Sequence, residues 1–343
     1  MDKIVVLAEG VFGSTYGKTA HGLVRYSGRY QVVAVIDSKL AGKDAGEFLE
    51  GRKNNIPIVA NLKEAMIYSP KYVAIGAATD GGYLPPEYRK IIIDAINKGL
   101  GVVNGLHEFL SEDPEISKLA HEKRVEIIDV RKIFRDRKFP FTGKIEEVRA
   151  KKIAILGTDS AIGKRTTTIL LWKELQKRGI KAEMIGTGQT AWMQGVEYVT
   201  VIDATINDFV AGAIEHEVVR AWEEKRPDFI LLEGQGSVVH PAYPGSFEII
   251  AAGRPDAIIL QDAPGRKFLD GFENYPMPDV GRVITILQLL SGKNVIAITL
   301  NTEKMTENEI NRIKKEYEIK YGIPVIEPLN EIAKLADVVE NIE

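Results

Sequence analysis

The sequence predicts an α/β protein with a Rossmann-like doubly wound parallel sheet over residues 1–148, followed by a P-loop NTPase-like α/β domain over residues 149–343. Three observations carry this. Short Val/Ile-rich runs alternate with helical patterns along the whole chain. The runs are nearly continuous in apolar character rather than alternating, which suits parallel strands covered on both faces. The rhythm then restarts at "KKIAILGTD" (151–159), after the turn-rich "FPFTGK", so the natural boundary falls near 145–150.

In the first half, strands are expected at "KIVVLAEG" (3–10), "YQVVAVIDS" (30–38), "NIPIVA" (55–60), "KYVAIGAAT" (71–79), "LGVVNGLH" (100–107) and "VEIIDV" (125–130). The stretch "PPEYRKIIIDAINKGL" (85–100) reads as a helix, opening on prolines and stopping at Gly99. The first strand runs into "AEGVFGSTYGKTAHG". Its glycines, Gly10, Gly13 and Gly17, fit neither the G-x-G-x-x-G dinucleotide spacing nor the spacing of a phosphate loop before Lys18. Asp37 ends the next strand, where a ribose-binding acid would stand. Lys18, Thr19 and His21 are aimed at the carboxyl edge of the sheet. Lys18, Thr19 and Arg25 are therefore candidates for holding a carboxylate-bearing substrate. The basic run "VRKIFRDRKFPFTGK" (130–144) reads as a solvated face between the domains.

In the second half, strands are expected at 151–159, 181–186, 228–234, 256–262, 294–301 and 323–329. Helices are expected after Gly163 and around 207–224, 280–291 and 307–321. The first strand enters "GTDSAIGKRTTT", and strand, glycine loop and helix in that order are the context of a phosphate loop. Glycines let the backbone turn tightly so that successive N–H groups converge, the helix N-terminus adds a positive dipole end, and Lys164 adds a full charge. The cofactor-binding candidates are Gly157, Thr158, Asp159, Ser160, Ala161, Ile162, Gly163, Lys164, Arg165 and Thr166. Arg165 occupies the position where a hydroxyl residue usually ligates Mg²⁺. Thr166 is one residue on, turned by about 100° around the helix. An added guanidinium suits a ligand with more phosphate charge and less metal, such as coenzyme A.

"DFILLEGQGS" ends a strand on Glu233, beside that loop, and "GQGSVVHPAYPG" places His240 on a Gly/Pro-rich loop close by. Glu233 and His240 are the candidate catalytic bases. If Mg²⁺ is used, Thr166 and Glu233 are its candidate ligands. "GTGQTAWMQG" (186–195) offers Gln189 and Trp192 to a substrate or adenine pocket. Asp203 and Asp208 are further acids that a metal or an amine would use, or Asp208 caps the following helix. His107 follows the strand "GVVNG" and is expected to face the cleft between the domains, while His121 and His216 sit in helical patterns with no partner visible in the sequence.

Composition narrows the classes. The chain has 343 residues, 45% hydrophobic and 27% charged, with a formal net charge of −3, so nothing points to nucleic acid or an anionic membrane. It contains no cysteine, which excludes disulfides, thiol nucleophiles and Cys-ligated zinc or iron–sulfur sites. The absence of a signal-like start or a long apolar run makes a cytoplasmic location the expectation. The expected partner is a small-molecule substrate, with no nucleic acid and no membrane. A homo-oligomer is compatible with the architecture.

The loop "GTDSAIGK" and the strand tip "LLEGQGS" are similar to the corresponding stretches of dethiobiotin synthetase and its relatives. The combination of "AEG…GKTAHGLVRYS" with "GTDSAIGKRTTT", "GTGQTAWMQG" and "LLEGQGSVVHPAYPG" resembles, over nearly the whole chain, a two-domain family long labelled as of unknown function. Some of its members are described as D-glutamate N-acetyltransferases that use acetyl-CoA and act beside an enolase-type dehydratase. The resemblance implies acetyl transfer from acetyl-CoA to a small acidic D-amino acid; read with the residues above, Lys164, Arg165 and loop amides are expected on the cofactor phosphates and the substrate between the domains. The synthetase likeness implies instead an ATP- and Mg²⁺-dependent ligase or kinase. A nucleotide-binding protein without turnover is the third reading.

Overall fold

The computed structural model describes residues 1–342. The chain forms two compact units. One is Met1–Asp136 together with Gln189–Val196; the other is Arg137–Gly188 together with the chain from Glu197 onward.

In the first unit six strands, β1 (Asp2–Leu7), β2 (Tyr30–Ile36), β3 (Ile58–Val59), β4 (Tyr72–Ile75), β5 (Gly101–Asn104) and β6 (Ile127–Asp129), are ordered β3-β2-β1-β4-β5-β6. Every pairing is parallel. The order reverses between β1 and β4, as in a doubly wound Rossmann sheet. Val5, Leu7, Ile36, Val73, Ile75 and Val102 are buried with Ile92 and Ile96 of the helix Pro86–Asn97. Burying each such side chain stabilises the unit by about 2 kcal/mol. The helix Lys18–Tyr26 crosses close to Gly76, where an added Cβ would lie 2.6 Å from Val6 Cγ1 and 2.8 Å from Ala20 Cβ.

In the second unit the main sheet comprises β7 (Lys151–Gly157), β8 (Ala182–Gly186), β9 (Tyr198–Val199), β10 (Phe229–Glu233), β11 (Ala257–Asp262), β14 (Val295–Leu300) and β15 (Val325–Ile326). A small hairpin, β12 (Phe268–Leu269) with β13 (Phe272–Pro276), follows β11. The sheet order is β15-β14-β11-β7-β10-β8-β9, so β7 lies at its centre. One face packs Val210, Ile214 and Val218 of the helix Asn207–Lys225 with Val283 and Leu287 of the helix Val280–Ser291. The other packs Leu171 and Leu175 of the helix Lys164–Lys177 with Leu335 and Val339 of the helix Pro328–Glu340.

The expected strands and helices are present, and the hairpin is an addition that their pattern did not announce. The basic run is not one face. Val130–Arg135 is a helix of the first unit, while the residues from Arg137 belong to the second. There Phe139 stacks on His216 with ring centroids 3.9 Å apart. The buried Glu215 accepts from the Thr142 amide at 2.6 Å and the Ile145 amide at 3.1 Å. Arg137 lies 3.6 Å from the buried Glu217. Buried carboxylates, rather than solvent, hold this segment to its helix.

The helix Gln189–Gln194 follows β8 in sequence yet belongs to the first unit. Thr190 Oγ1 lies 3.2 Å from Thr19 Oγ1, and Gln194 Nε2 donates to the Gly22 carbonyl at 2.8 Å. The Arg29 guanidinium sits 4.0 Å over the Trp192 ring and donates to the Trp192 carbonyl at 2.8 Å.

Candidate functional site

The two glycine loops spend their amides differently. In the first unit the loop after β1 folds on itself. The Val11 and Phe12 amides donate to the Ala8 carbonyl, Ser14 to Val11 and Gly17 to Ser14. At the start of the following helix the Ala20 amide donates to the Gly76 carbonyl at 3.0 Å. Asp37 is buried, and its carboxylate accepts from the Phe12 amide and the Lys39 amide, both at 3.0 Å. It braces the loop rather than presenting a free carboxylate to a ribose. Phe12 is also buried, edge-on to His21 and against Phe48. This loop is closed by its own hydrogen bonds.

The four candidate substrate residues all lie in the first unit. Lys18 is exposed at the head of its helix, Thr19 is buried against Thr190, and Gln189 is half-buried beside Gly105. Arg25 ends the same helix as Lys18, about 10 Å further along at 1.5 Å rise per residue. Its Nε donates to Glu50 at 3.0 Å, so its charge is already matched.

The loop after β7 is built the other way. The strand ends at Gly157 and the helix starts at Lys164. Gly163 has φ +100° and Ala161 φ +50°, so left-handed residues alternate along the turn as in an anion-binding nest. Among the described residues, the amides of Ala161, Ile162, Gly163, Arg165 and Thr166 have no acceptor within the protein. The loop is held instead from behind. Arg266 donates to Asp159 Oδ2 at 2.8 Å, to the Ser160 carbonyl at 3.0 Å and to the Ala161 carbonyl at 2.9 Å. Asn301 donates to the Ile162 carbonyl at 3.1 Å. Thr158 Oγ1 donates to the buried Asp262 at 2.7 Å, and Tyr317 donates to the same carboxylate at 3.1 Å. Burial pushes the Asp262 carboxyl above its ordinary range, with those two hydroxyls opposing the shift. Lys164 is buried, lies over Gly157 and donates to the Asp159 carbonyl. A Cβ on Gly157 would come 3.0 Å from Lys164 Cδ and 3.2 Å from its Nζ.

Glu233 ends β10 beside this loop. It is buried, and Oε2 accepts from the Thr187 amide at 2.9 Å. Arg165 Nη1 lies 3.7 Å from Oε1. Burial pushes the Glu233 carboxyl above its ordinary range, while Arg165 opposes the shift. Gly234 permits this approach, since a Cβ there would stand 2.1 Å from the Ile155 carbonyl oxygen and 2.9 Å from Lys164 Cδ.

His240 is brought to the same place. Its Nδ1 accepts from the Ala242 and Tyr243 amides, both at 3.1 Å. The neutral ring therefore carries its proton on Nε2, which lies 3.5 Å from Asp159 Oδ1 and has no hydrogen-bond partner among the described residues. Burial holds its pKa below the usual histidine value, with the Asp159 charge opposing. So arranged, His240 donates at Nε2, and Glu233 is the group able to accept a proton.

Thr166 sits half-buried in the first turn of the helix. Asp203 and Asp208 are exposed, Asp208 in the first turn of the helix Asn207–Lys225. Among the described residues, no three or more His, Asp or Glu side chains converge as a metal cluster would require. The donor set also argues against a resident Mg²⁺. Of the carboxylates at the loop, Asp159 and Glu233 each face an arginine and Asp262 accepts from two hydroxyls, while a guanidinium stands at the position of the usual hydroxyl ligand. No helix among the described residues is long and apolar enough to cross a membrane. Arg266 and Asn301 were not singled out in the sequence; each lies more than 100 residues from the loop carbonyls it binds and carries no motif.

Residues 140–336 match the DUF1611 domain of unknown function, described as its C-terminal P-loop domain, and residues 38–133 match its N-terminal Rossmann-like domain. The chain is 30% identical over 273 residues to a D-glutamate N-acetyltransferase of Tritonibacter scottomollicae, covering 78% of this chain and 80% of that protein. It is also 30% identical over 278 residues to one of a Pseudoalteromonas species, covering 79% and 81% respectively. The crystal structure of a DUF1611 family protein from Anabaena variabilis superposes with a TM-score of 0.91 at 29% identity, covering 99% of each chain.

Proposed function

This chain belongs to the DUF1611 family, and on that premise we propose that it is an acetyl-CoA-dependent N-acetyltransferase acting on a small acidic D-amino acid such as D-glutamate. The pairing of Arg165 with Glu233 at the loop carries the reading. It places fixed positive charge where a hydrolytic phosphate loop would gather a metal. The unengaged loop amides, Lys164 and Arg165 bind the cofactor's phosphates without one.

Acetyl-CoA supplies an acetyl group activated as a thioester. Of the two protons that the substrate ammonium loses as the N–C bond replaces the C–S bond, Glu233 takes one and the leaving thiol sulfur the other. The burial of Glu233 raises its basicity toward that task. Lys164 and Arg165 orient the cofactor by its phosphates. With no cysteine in the chain, the transfer is direct rather than through a thioester on the enzyme.

The test is thiol release from acetyl-CoA in the presence of D-glutamate, compared with L-glutamate and with no acceptor, with and without a chelator. Release that depends on the acidic D-amino acid and survives chelation is expected. No release with any acidic amino acid, or ADP formation from ATP and a carboxylate, would overturn the reading.

A further inference from the structure

A trans peptide holds the carbonyl of one residue antiparallel to the N–H of the next. Whatever binds a loop carbonyl from outside therefore fixes the following N–H to point inward. Among the described residues no peptide bond is cis. Arg266 donates to the Ser160 and Ala161 carbonyls, so it orients the amides of Ala161 and Ile162. Asn301 donates to the Ile162 carbonyl and orients the amide of Gly163. These are three of the amides that have no acceptor within the protein among the described residues. The same guanidinium lies 2.8 Å from Asp159 Oδ2 and offsets the charge of a carboxylate that would otherwise repel an anion.

We propose that Arg266 is a positioning residue that builds a pyrophosphate site from behind, turning the amides of Ala161 and Ile162 toward the anion without touching it. The loop itself is built for an anion: the amides of Ala161, Ile162 and Gly163 have no acceptor within the protein among the described residues, left-handed Ala161 and Gly163 alternate along the turn, and Lys164 and Arg165 open the helix that follows. The inference rests on reading this loop as a phosphate holder, but not on acetyl transfer.

The experiment titrates inorganic pyrophosphate and CoA into the full-length protein and into Arg266→Lys and Arg266→Ala, with thermal midpoints measured in parallel. Arg266→Lys keeps a charge beside Asp159, so the fold stands, but its single nitrogen cannot occupy both the Nη1 and Nη2 positions that serve the Ser160 and Ala161 carbonyls. Weakening of both ligands by about tenfold in Arg266→Lys, and more in Arg266→Ala, is expected. Added guanidinium should restore affinity to Arg266→Ala alone. In turnover, KM for acetyl-CoA should rise while kcat and KM for the amino acid hold. Affinities in Arg266→Lys equal to those of the unsubstituted protein would overturn the inference and leave the proposed function standing. An unsubstituted protein that binds neither probe would overturn both, and one that binds both without acetyl transfer would overturn only the proposed function.

Discussion

Arg165 Nη1 stands 3.7 Å from Glu233 Oε1, joining the first turn of the phosphate-loop helix to the tip of β10. Each group sits where the other's ordinary role would be spoiled. The guanidinium occupies the place of a metal-binding hydroxyl, and the carboxylate that would hold the metal has a cation for a neighbour.

Glu233→Gln removes the proton acceptor and keeps the shape. Acetyl transfer should fall by about 100-fold with little change in KM for acetyl-CoA, measured by thiol release. The folded Glu233 titrates above its unfolded value because of burial. Its contribution to stability is therefore fully present below the unfolded pKa and is lost as pH rises through the folded one. The thermal midpoint of the unsubstituted protein should fall relative to Glu233→Gln as pH rises above the ordinary glutamate range.

Arg165→Thr restores a hydroxyl after the loop lysine and deletes a cation. CoA should bind about tenfold more weakly in the presence of a chelator. Added Mg²⁺ should recover part of the loss in this variant and change nothing in the unsubstituted protein. Calorimetric titration with and without Mg²⁺ reads both.

Two substitutions beside the loop should move stability in opposite directions. Gly234→Ala would drive a Cβ to 2.1 Å from the Ile155 carbonyl oxygen, deep under the loop, and should cost ~3 kcal/mol. Ala161→Gly relieves a left-handed residue at φ +50° and should be neutral or gain up to about 1 kcal/mol. Denaturant unfolding, with the midpoint and slope fitted for each, separates them.

Asp37→Asn tests the closed loop of the first unit. The carboxylate serves two backbone amides at 3.0 Å each, so the variant should lose about 1 to 2 kcal/mol of stability. Neither protein should bind NADH, followed by nicotinamide fluorescence. Tight NADH binding that is lost in Asp37→Asn would show that the residue meets a ribose after all.

The fold was legible because its signals are local. Val/Ile runs, helix starts such as Pro86, and a glycine loop between strand and helix can each be read within about fifteen residues. The phosphate loop and Glu233 were legible for the same reason. The loop's supports were not. Arg266 and Asn301 lie 105 and 139 residues from the carbonyls of Ala161 and Ile162 that they bind, and only the order of β7, β11 and β14 brings them together. Asp37 was misleading because a buried acid at a strand end looks the same in sequence whether it meets a ribose or an amide. His240 was located correctly as a neighbour of the loop, but its proton sits on Nε2 because of two amides that its spacing from Glu233 did not reveal.

The short helix that leaves β8 to complete the first unit has a consequence for how the chain is made. Thr190, opposite Thr19, and Met193, whose Cε lies where a Cβ on Gly105 would come within 2.8 Å, are encoded far downstream of the sheet they finish. A ribosome must translate past the phosphate loop before the amino-terminal module can close. A gene cut between the two halves would release a Rossmann sheet lacking its own last piece.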